Sequence, residues 1–194
     1  AALAAGGVDL AKIRADTSTV VLTDPGLKVM IDLKETVLKQ SSAPNTIGIL
    51  EGTDPKLKHE YLVYSAHMDH VGIASGKPDS IHNGADDDAS GTVGVVELAE
   101  AFSRPGARPK RSILFITVSG EEKGLWGSNY FVNHPTVPLK DMVADINLDM
   151  IGRNWPDTIV AIGKEHSDLG ERLATVQTAN TDLNMVATED RWPE

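Results

Sequence analysis

Short apolar runs rich in β-branched residues alternate with segments of helical periodicity along most of this 194-residue sequence. Runs of strand length lie at Thr46–Leu50, Tyr61–Ala66, Arg111–Val118, Val143–Leu148 and Thr158–Ile162. Helical spacing of apolar residues predicts helices at about Val95–Phe102, Gly124–His134 and Ser167–Ala179. Strands that alternate with helices predict an α/β sandwich whose central sheet is at least partly parallel.

The first third of the chain adds three expectations. The spacing of apolar residues predicts a short helix over Val8–Asp16, and strict alternation predicts a half-buried strand over Leu27–Leu33. Because the residues between Thr46–Leu50 and Tyr61–Ala66 include the turn signal Gly52–Pro55, these two runs are expected to be neighbouring strands.

The composition of the chain excludes several classes of function and of site. The 28 acidic residues outnumber the 18 basic ones, and a net charge of -10 argues against a general nucleic-acid binder, which needs a basic face. No apolar run of the sequence approaches the roughly 20 residues that span a bilayer. The absence of cysteine excludes a disulfide scaffold and any thiolate metal site. The length is that of a single domain.

Histidine and acidic residues follow the predicted strands, where an open α/β sheet places its ligand crevice. His67 and Asp69 come directly after Tyr61–Ala66, and Asp149 follows Val143–Leu148. A metal-bound imidazole usually donates its other N–H to a carboxylate or carbonyl, so His67 and Asp69 can cooperate at a metal. Taken alone, a His-x-Asp at a loop edge is more simply a chance pair. An aspartate at the end of a buried strand is costly unless it is paired or metal-bound.

Two acidic clusters extend this pattern. The adjacent carboxylates of Asp86–Asp88 repel one another unless a cation or a helix N-terminus compensates, and a solvated acidic cap is the simpler alternative. Glu121 and Glu122 follow Arg111–Val118, and such a pair can divide its work between binding a metal and accepting a proton from water. Four individually weak signals, all at strand ends, together favour a site for zinc or a related divalent ion.

The segments His67–Asp69, Gly84–Gly91, Gly120–Gly124 and Asn147–Gly152 resemble, in order and spacing, the M28 family of zinc peptidases, which includes bacterial leucyl aminopeptidases. The stretches Gly6–Asp16 and Tyr61–Gly72 particularly resemble secreted bacterial members that carry a protease-associated insert. The resemblance implies a three-layer sandwich with a mixed, largely parallel central sheet flanked by helices. It also implies one catalytic domain over residues 1–194, peptide substrates, and a secreted or periplasmic location.

Carried over position by position, the resemblance implies an active site with two zinc ions. The metal ligands that it implies are His67, Asp87, Glu122 and Asp149. Asp87 would bridge both ions, Glu121 would be the general base, and Asp69 would orient His67. The family also has a cis peptide bond after the bridging aspartate, here between Asp87 and Asp88. Asp86 and Asp88 would support the site without binding metal.

One family feature has no counterpart in this sequence. Members carry a further histidine ligand in a Ser-Asp-His-like segment well beyond the strand that precedes Asp149, and the sequence reaches Glu194 without one. The chain is therefore expected to be truncated at its C-terminus, and its start at Ala1 without an initiator Met leads us to expect truncation there as well. It is expected to offer only Asp87 and Glu122 to the second metal, with weaker occupancy there. The residues expected to lie on the surface or in loops are His59, His70, His82 and His134.

The predicted function is hydrolysis of N-terminal residues from peptides by metal-activated water, with Glu121 as the base. Two alternatives stay open: a one-metal transferase like glutaminyl cyclase, and a metal-binding fragment without turnover. The segments Gly84–Asp88 and Asn147–Met150 favour the peptidase, since they supply carboxylates for a second metal. Trp126 and the loop Arg153–Pro156 are candidate pocket residues.

Overall fold

In the computed structural model the chain divides into two units, Ala1–Ser41 and Ser42–Glu194. The structure describes residues 33–34, 36–76 and 78–188. The helix expected over Val8–Asp16 and nearly all of the strand expected over Leu27–Leu33 lie outside the described residues. No helix within the described ranges is long and apolar enough to cross a membrane. The expectation of one catalytic domain over residues 1–194 stays a prediction.

A four-stranded mixed sheet forms the centre of the unit Ser42–Glu194. Its strands are β1 (Thr46–Leu50), β2 (Tyr61–His67), β3 (Ser112–Val118) and β4 (Met142–Asn147), in the order β1-β3-β2-β4. Strand β2 runs parallel to both β3 and β4, and β1 is antiparallel to β3. The predicted α/β fold with a mixed, largely parallel sheet is confirmed.

The expectation that β1 and β2 are neighbours is wrong, because β3 lies between them. All seven residues of β3 are buried. A strand this apolar is most stable in the interior of the sheet, with a partner on each side and a covered surface above and below. Burial of the most apolar strand, and not proximity along the chain, therefore determines which strands are neighbours in the sheet.

Helices cover both faces of the sheet. The two helices concerned are α1 (Ala89–Ser103) and α2 (Trp126–Asn133). Leu114 of β3 belongs to a buried cluster with Phe131 of α2. The next residue back along the strand, Ile113, belongs to another cluster with Val95 of α1. Because successive strand residues point to opposite faces, α1 and α2 lie on opposite sides of the sheet, as in a three-layer sandwich.

The chain beyond β4 forms a smaller parallel pair. Its elements are β5 (Thr158–Val160), α3 (Leu169–Ala179) and β6 (Val186–Thr188). Strands β5 and β6 pair in parallel as a second, two-stranded sheet, and within the described part of the chain no residue of α3 is fully buried. The sequence does not predict β6, because this strand contains only two apolar residues, Val186 and Ala187, whereas β5 begins the longer apolar run Thr158–Ile162.

The parallel strands determine where the polar segments meet. Strands β2, β3 and β4 all end at the same edge of the sheet. The residues that follow them include His67–Asp69, Glu121–Glu122 and Asp149, and the segment Asp86–Asp88 precedes α1. Four separate parts of the sequence are thereby brought together at one edge.

Candidate metal centre

Two carboxylates face the imidazole of His67 at the end of β2. Its Nε2 lies 3.0 Å from Oδ1 of Asp87 and 3.9 Å from Oδ2 of Asp149. The His67 side chain is 3% exposed, whereas the two aspartates open towards solvent. One donor atom from each residue lies within 4.8 Å of the others, a spacing that can hold a single cation. These three residues are called the first donor group below.

A second donor group consists of His70, Asp87 and Glu122, whose donor atoms also lie within 4.8 Å of one another. Nδ1 of His70 lies 2.6 Å from Oε1 of Glu122 and 3.9 Å from Oδ2 of Asp87. Asp87 thus directs one carboxylate oxygen towards each group. His70 was expected on the surface or in a loop, and the structure places it in a loop beside Glu122 and Asp87. The loop turns its ring inward, leaving 23% of the side chain exposed.

The second donor group has the chemistry of an ion site. Nδ1 of His70 and Oε1 of Glu122 are both buried, and neither has a hydrogen-bond partner among the described residues. They approach to 2.6 Å without the angles of a hydrogen bond. Buried polar atoms are almost always partnered in folded proteins. Imidazole nitrogen and carboxylate oxygen, without thiolate, are suitable ligands for a catalytic divalent cation.

Asp69 connects the end of β2 with the glutamate pair. Nδ1 of His67 lies 3.1 Å from the main-chain carbonyl oxygen of Asp69, whereas the nearest carboxylate oxygen of Asp69 is 3.7 Å away. The carboxylate instead accepts the main-chain N–H groups of Glu121, at 3.1 Å, and Glu122, at 3.4 Å. The main-chain carbonyl of Asp69 therefore contacts the imidazole, and the side chain of Asp69 holds the turn that presents both glutamates.

Asp88 is the most extensively hydrogen-bonded residue of the Asp86–Asp88 cluster. Its side chain is 2% exposed and accepts three main-chain N–H groups, from His67 at 3.0 Å, Gly91 at 3.0 Å and Met150 at 3.3 Å. The bond from Gly91 caps the N-terminus of α1. The cis peptide bond expected between Asp87 and Asp88 is present. Asp88 thus holds three main-chain segments beside the donor groups and belongs to neither group of the described residues.

Asp86 likewise accepts a main-chain hydrogen bond, in this case from the segment that follows β4. Its Oδ1 accepts the main-chain N–H of Gly152 at 2.8 Å. The hydroxyl of Ser90 donates to the carbonyl of Asp86 and accepts the main-chain N–H of Ile151. These bonds hold the segment after Asp149 against the first turn of α1.

Negative charge accumulates around His67. Burial raises the pKa of the Glu121 carboxyl, and the nearby charges of Glu122 and Asp149 raise it further, against an opposing effect of His67. Burial likewise raises the pKa of Asp149. Burial opposes protonation of His67, but the charges of Asp88, Asp149 and Glu121 outweigh it, so the pKa of the imidazole is raised. A bound cation would relieve this excess of negative charge.

The remaining candidates lie outside the two donor groups. His59, His82 and His134 are exposed, as expected for surface or loop residues. Trp155 lines a hollow of about 300 Å³ together with Gly152 and Met185. Trp126, by contrast, is a surface residue with 64% exposure.

Comparison with known proteins finds relatives of this part of the chain. The sequence profile described as Peptidase family M28 matches residues 45–190. Aminopeptidase YwaD of Bacillus subtilis (strain 168) is 34% identical over 126 residues, which cover 63% of this chain and 25% of that protein. A probable zinc metalloprotease of Pyrenophora tritici-repentis (strain Pt-1C-BFP) is 38% identical over 74 residues, which cover 38% of this chain and 15% of that protein.

A solved structure shows the same architecture. The Legionella pneumophila LapA aminopeptidase matches with a TM-score of 0.58 and 25% identity, over 75% of this chain and 36% of that chain. The chain spans a quarter or less of the length of the two curated relatives it matches.

Proposed function

The chain belongs to peptidase family M28, and on that premise we propose that it is the site-bearing part of an aminopeptidase that removes N-terminal residues from peptides at a centre of two zinc ions. The zinc ions are proposed because a relative is named a zinc metalloprotease and because the donor atoms suit this metal. The aminopeptidase activity is proposed from the named activities of YwaD and LapA. A secreted or periplasmic location stays part of the proposal.

The observation that carries the proposal is the position of Asp87 between two donor groups. One of its oxygens faces His67 of the first group, and the other faces His70 of the second. Each group adds one further carboxylate, from Asp149 and Glu122 respectively. A shared carboxylate is the arrangement that keeps two metal ions about 3.5–4 Å apart, as in two-metal hydrolases. This favours the peptidase over a one-metal transferase.

Glu121 is proposed as the general base. Its Oε2 lies 3.9 Å from Nε2 of His67, and its side chain is 33% exposed, so it reaches both the donor atoms and solvent. Bound zinc would polarise the scissile carbonyl and lower the pKa of a water molecule. Glu121 would accept the proton of that water and pass it to the leaving amine. A carboxyl whose pKa is raised is better matched to this exchange near neutral pH.

The surplus of carboxylates supports the proposed preference for peptide N-termini. Asp149 is 41% exposed at the rim of the first donor group, and Asp86 contributes negative charge beside it. A substrate α-ammonium group is attracted to such a rim, whereas an acylated N-terminus has no charge to contribute. The site therefore favours an exopeptidase over an endopeptidase.

The test compares two substrates that differ only in the charged amine. The zinc-loaded chain is expected to release p-nitroaniline from leucine p-nitroanilide, to lose this activity on chelation, and to leave the N-acetylated substrate largely intact. Equal cleavage of both substrates would contradict the exopeptidase proposal. Cyclisation of an N-terminal glutamine with one zinc ion per chain would instead establish the transferase, and an absence of any turnover would leave a metal-binding protein.

A further inference from the structure

We infer that His70 is a metal ligand: its Nδ1, with Oδ2 of Asp87 and Oε1 of Glu122, forms the second cation site of this chain. The inference rests on the proposed two-metal function and supplies the second ion with a nitrogen donor. The His-x-Asp-His sequence from His67 to His70 then contributes one imidazole to each ion.

The convergence of donor atoms is the first argument. Nδ1 of His70 and Oε1 of Glu122 are buried, 2.6 Å apart and without a hydrogen-bond partner in the described ranges. An ordinary ion pair between them would place an N–H of the imidazole along the line to the carboxylate, and the geometry does not satisfy that condition. The two atoms are too close for a cation on the line between them, but each lies within 4.8 Å of a carboxylate oxygen of Asp87, so a cation to one side of that line can contact all three.

The packing of the His70 ring is the second argument. Gly84 has a φ of +64°, and a Cβ built there would lie 2.9 Å from both Cβ and Cγ of His70. It would also lie 2.7 Å from the carbonyl oxygen of Asp87. Only a glycine leaves room for His70 to lie directly against the segment that carries Asp87. The ring is thus held beside the two carboxylates by the backbone itself.

His82 provides a matched control. Its ring meets the ring of His70 edge-on, with centroids 6.1 Å apart, but it belongs to neither donor group of the described residues. Removal of either imidazole deletes one exposed or half-buried ring from the same loop. Only removal of His70 deletes a donor atom from the second site.

The experiment measures zinc bound per chain and both dissociation constants for the 194-residue protein and three variants: His70→Ala, His82→Ala and His67→Ala. We expect two zinc ions in the parent and in His82→Ala. In His70→Ala we expect the ion of the first donor group to stay, which also reports a folded site, and the second to bind more than about 100-fold more weakly. Loss of a partner that merely orients a ligand typically costs roughly 10–100-fold. His67→Ala should weaken the other ion instead.

Retention of two zinc ions by His70→Ala, or a loss of affinity within the range of an orienting partner, would overturn the inference. So would a single zinc ion in the parent that His67→Ala removes and His70→Ala does not. Cobalt substitution adds a direct readout, since loss of an imidazole ligand changes the visible absorption of the second ion. Metal binding is counted without substrate, so a chain that binds two ions through His70 but hydrolyses nothing would refute the proposed function alone.

Discussion

The buried carboxylate of Asp88 accepts the main-chain N–H of His67 at 3.0 Å, and this bond ties the end of β2 to the start of α1. The same carboxylate also accepts N–H groups from Gly91 and Met150. One side chain therefore fixes three segments that are distant in sequence, and two of them carry residues of the first donor group.

Replacement of Asp88 by alanine should destabilise the metal-free chain. The substitution leaves three main-chain donors without their acceptor, and each buried donor costs about 1–3 kcal/mol. Relief from burying a carboxylate offsets part of this loss, so we expect the free energy of unfolding in urea to fall by about 2–4 kcal/mol. Asp182→Ala, at an exposed position, should stay within about 0.5 kcal/mol of the parent. A similar effect of both substitutions would contradict the structural role of Asp88.

Gly84→Ala should damage the second cation site more than it damages the fold. The added methyl group would collide with His70 and with the carbonyl of Asp87, in a backbone conformation that L residues rarely adopt. Gly72→Ala is the matched control: Gly72 lies in the same loop with a φ of +86°, but no atom of the described residues would come within 4 Å of its Cβ. Backbone strain should cost both variants about 1–2 kcal/mol of stability, and Gly84→Ala should lose more because of the two collisions. Only Gly84→Ala should also weaken the second zinc ion in a titration, and equal zinc binding by both would count against the packing argument.

The strands of the main sheet could be predicted from sequence because runs of apolar residues indicate which segments are buried. Strand β3 is the clearest case, with every residue buried. Its position between β1 and β2 could not be predicted from spacing, since pairing order depends on which strand gains most from two neighbours. Strand β6 could not be predicted, because its two apolar residues are too few for a pattern to show.

The role of His70 lies beyond sequence reasoning for a different reason. Alternation determines the side of the sheet that a residue faces only while the strand lasts, and β2 ends at His67. The direction of His70 is determined by contacts with Gly84 and Glu122, which come from distant segments. The spacing His-x-Asp-His was visible in the sequence, but it contains no information on the path of the loop. The three main-chain donors to Asp88 could not be predicted either, because they too depend on the path of the loops.

The stabilisation that zinc provides should increase with pH. The raised pKa values of Glu121, Asp149 and Asp88 mean that the metal-free fold holds these protons to a higher pH than the unfolded chain does. The metal-free chain therefore loses stability as the pH rises above about 4 towards the folded pKa values, and His67 adds a further loss above about 6.5. Zinc requires the deprotonated groups and removes their repulsion.

The measurement is the increase in Tm at a fixed free zinc concentration, followed from pH 5 to pH 8. We expect the increase to be small at pH 5 and to grow steadily towards pH 8. An increase in Tm that is constant over this interval would show that the donor groups do not compete with protons for the ion.

Hydrolysis by Glu121→Gln tests the proposed chemistry most directly. Glu121 belongs to neither donor group of the described residues, and its main-chain bond to Asp69 does not depend on its side chain, so the variant should fold and bind zinc like the parent. The amide cannot accept a proton from water, and we expect kcat for leucine p-nitroanilide to fall by roughly 10²–10⁴. A Glu121→Gln variant with both zinc ions and nearly unchanged kcat would contradict the assignment of Glu121 as the base of a two-metal aminopeptidase.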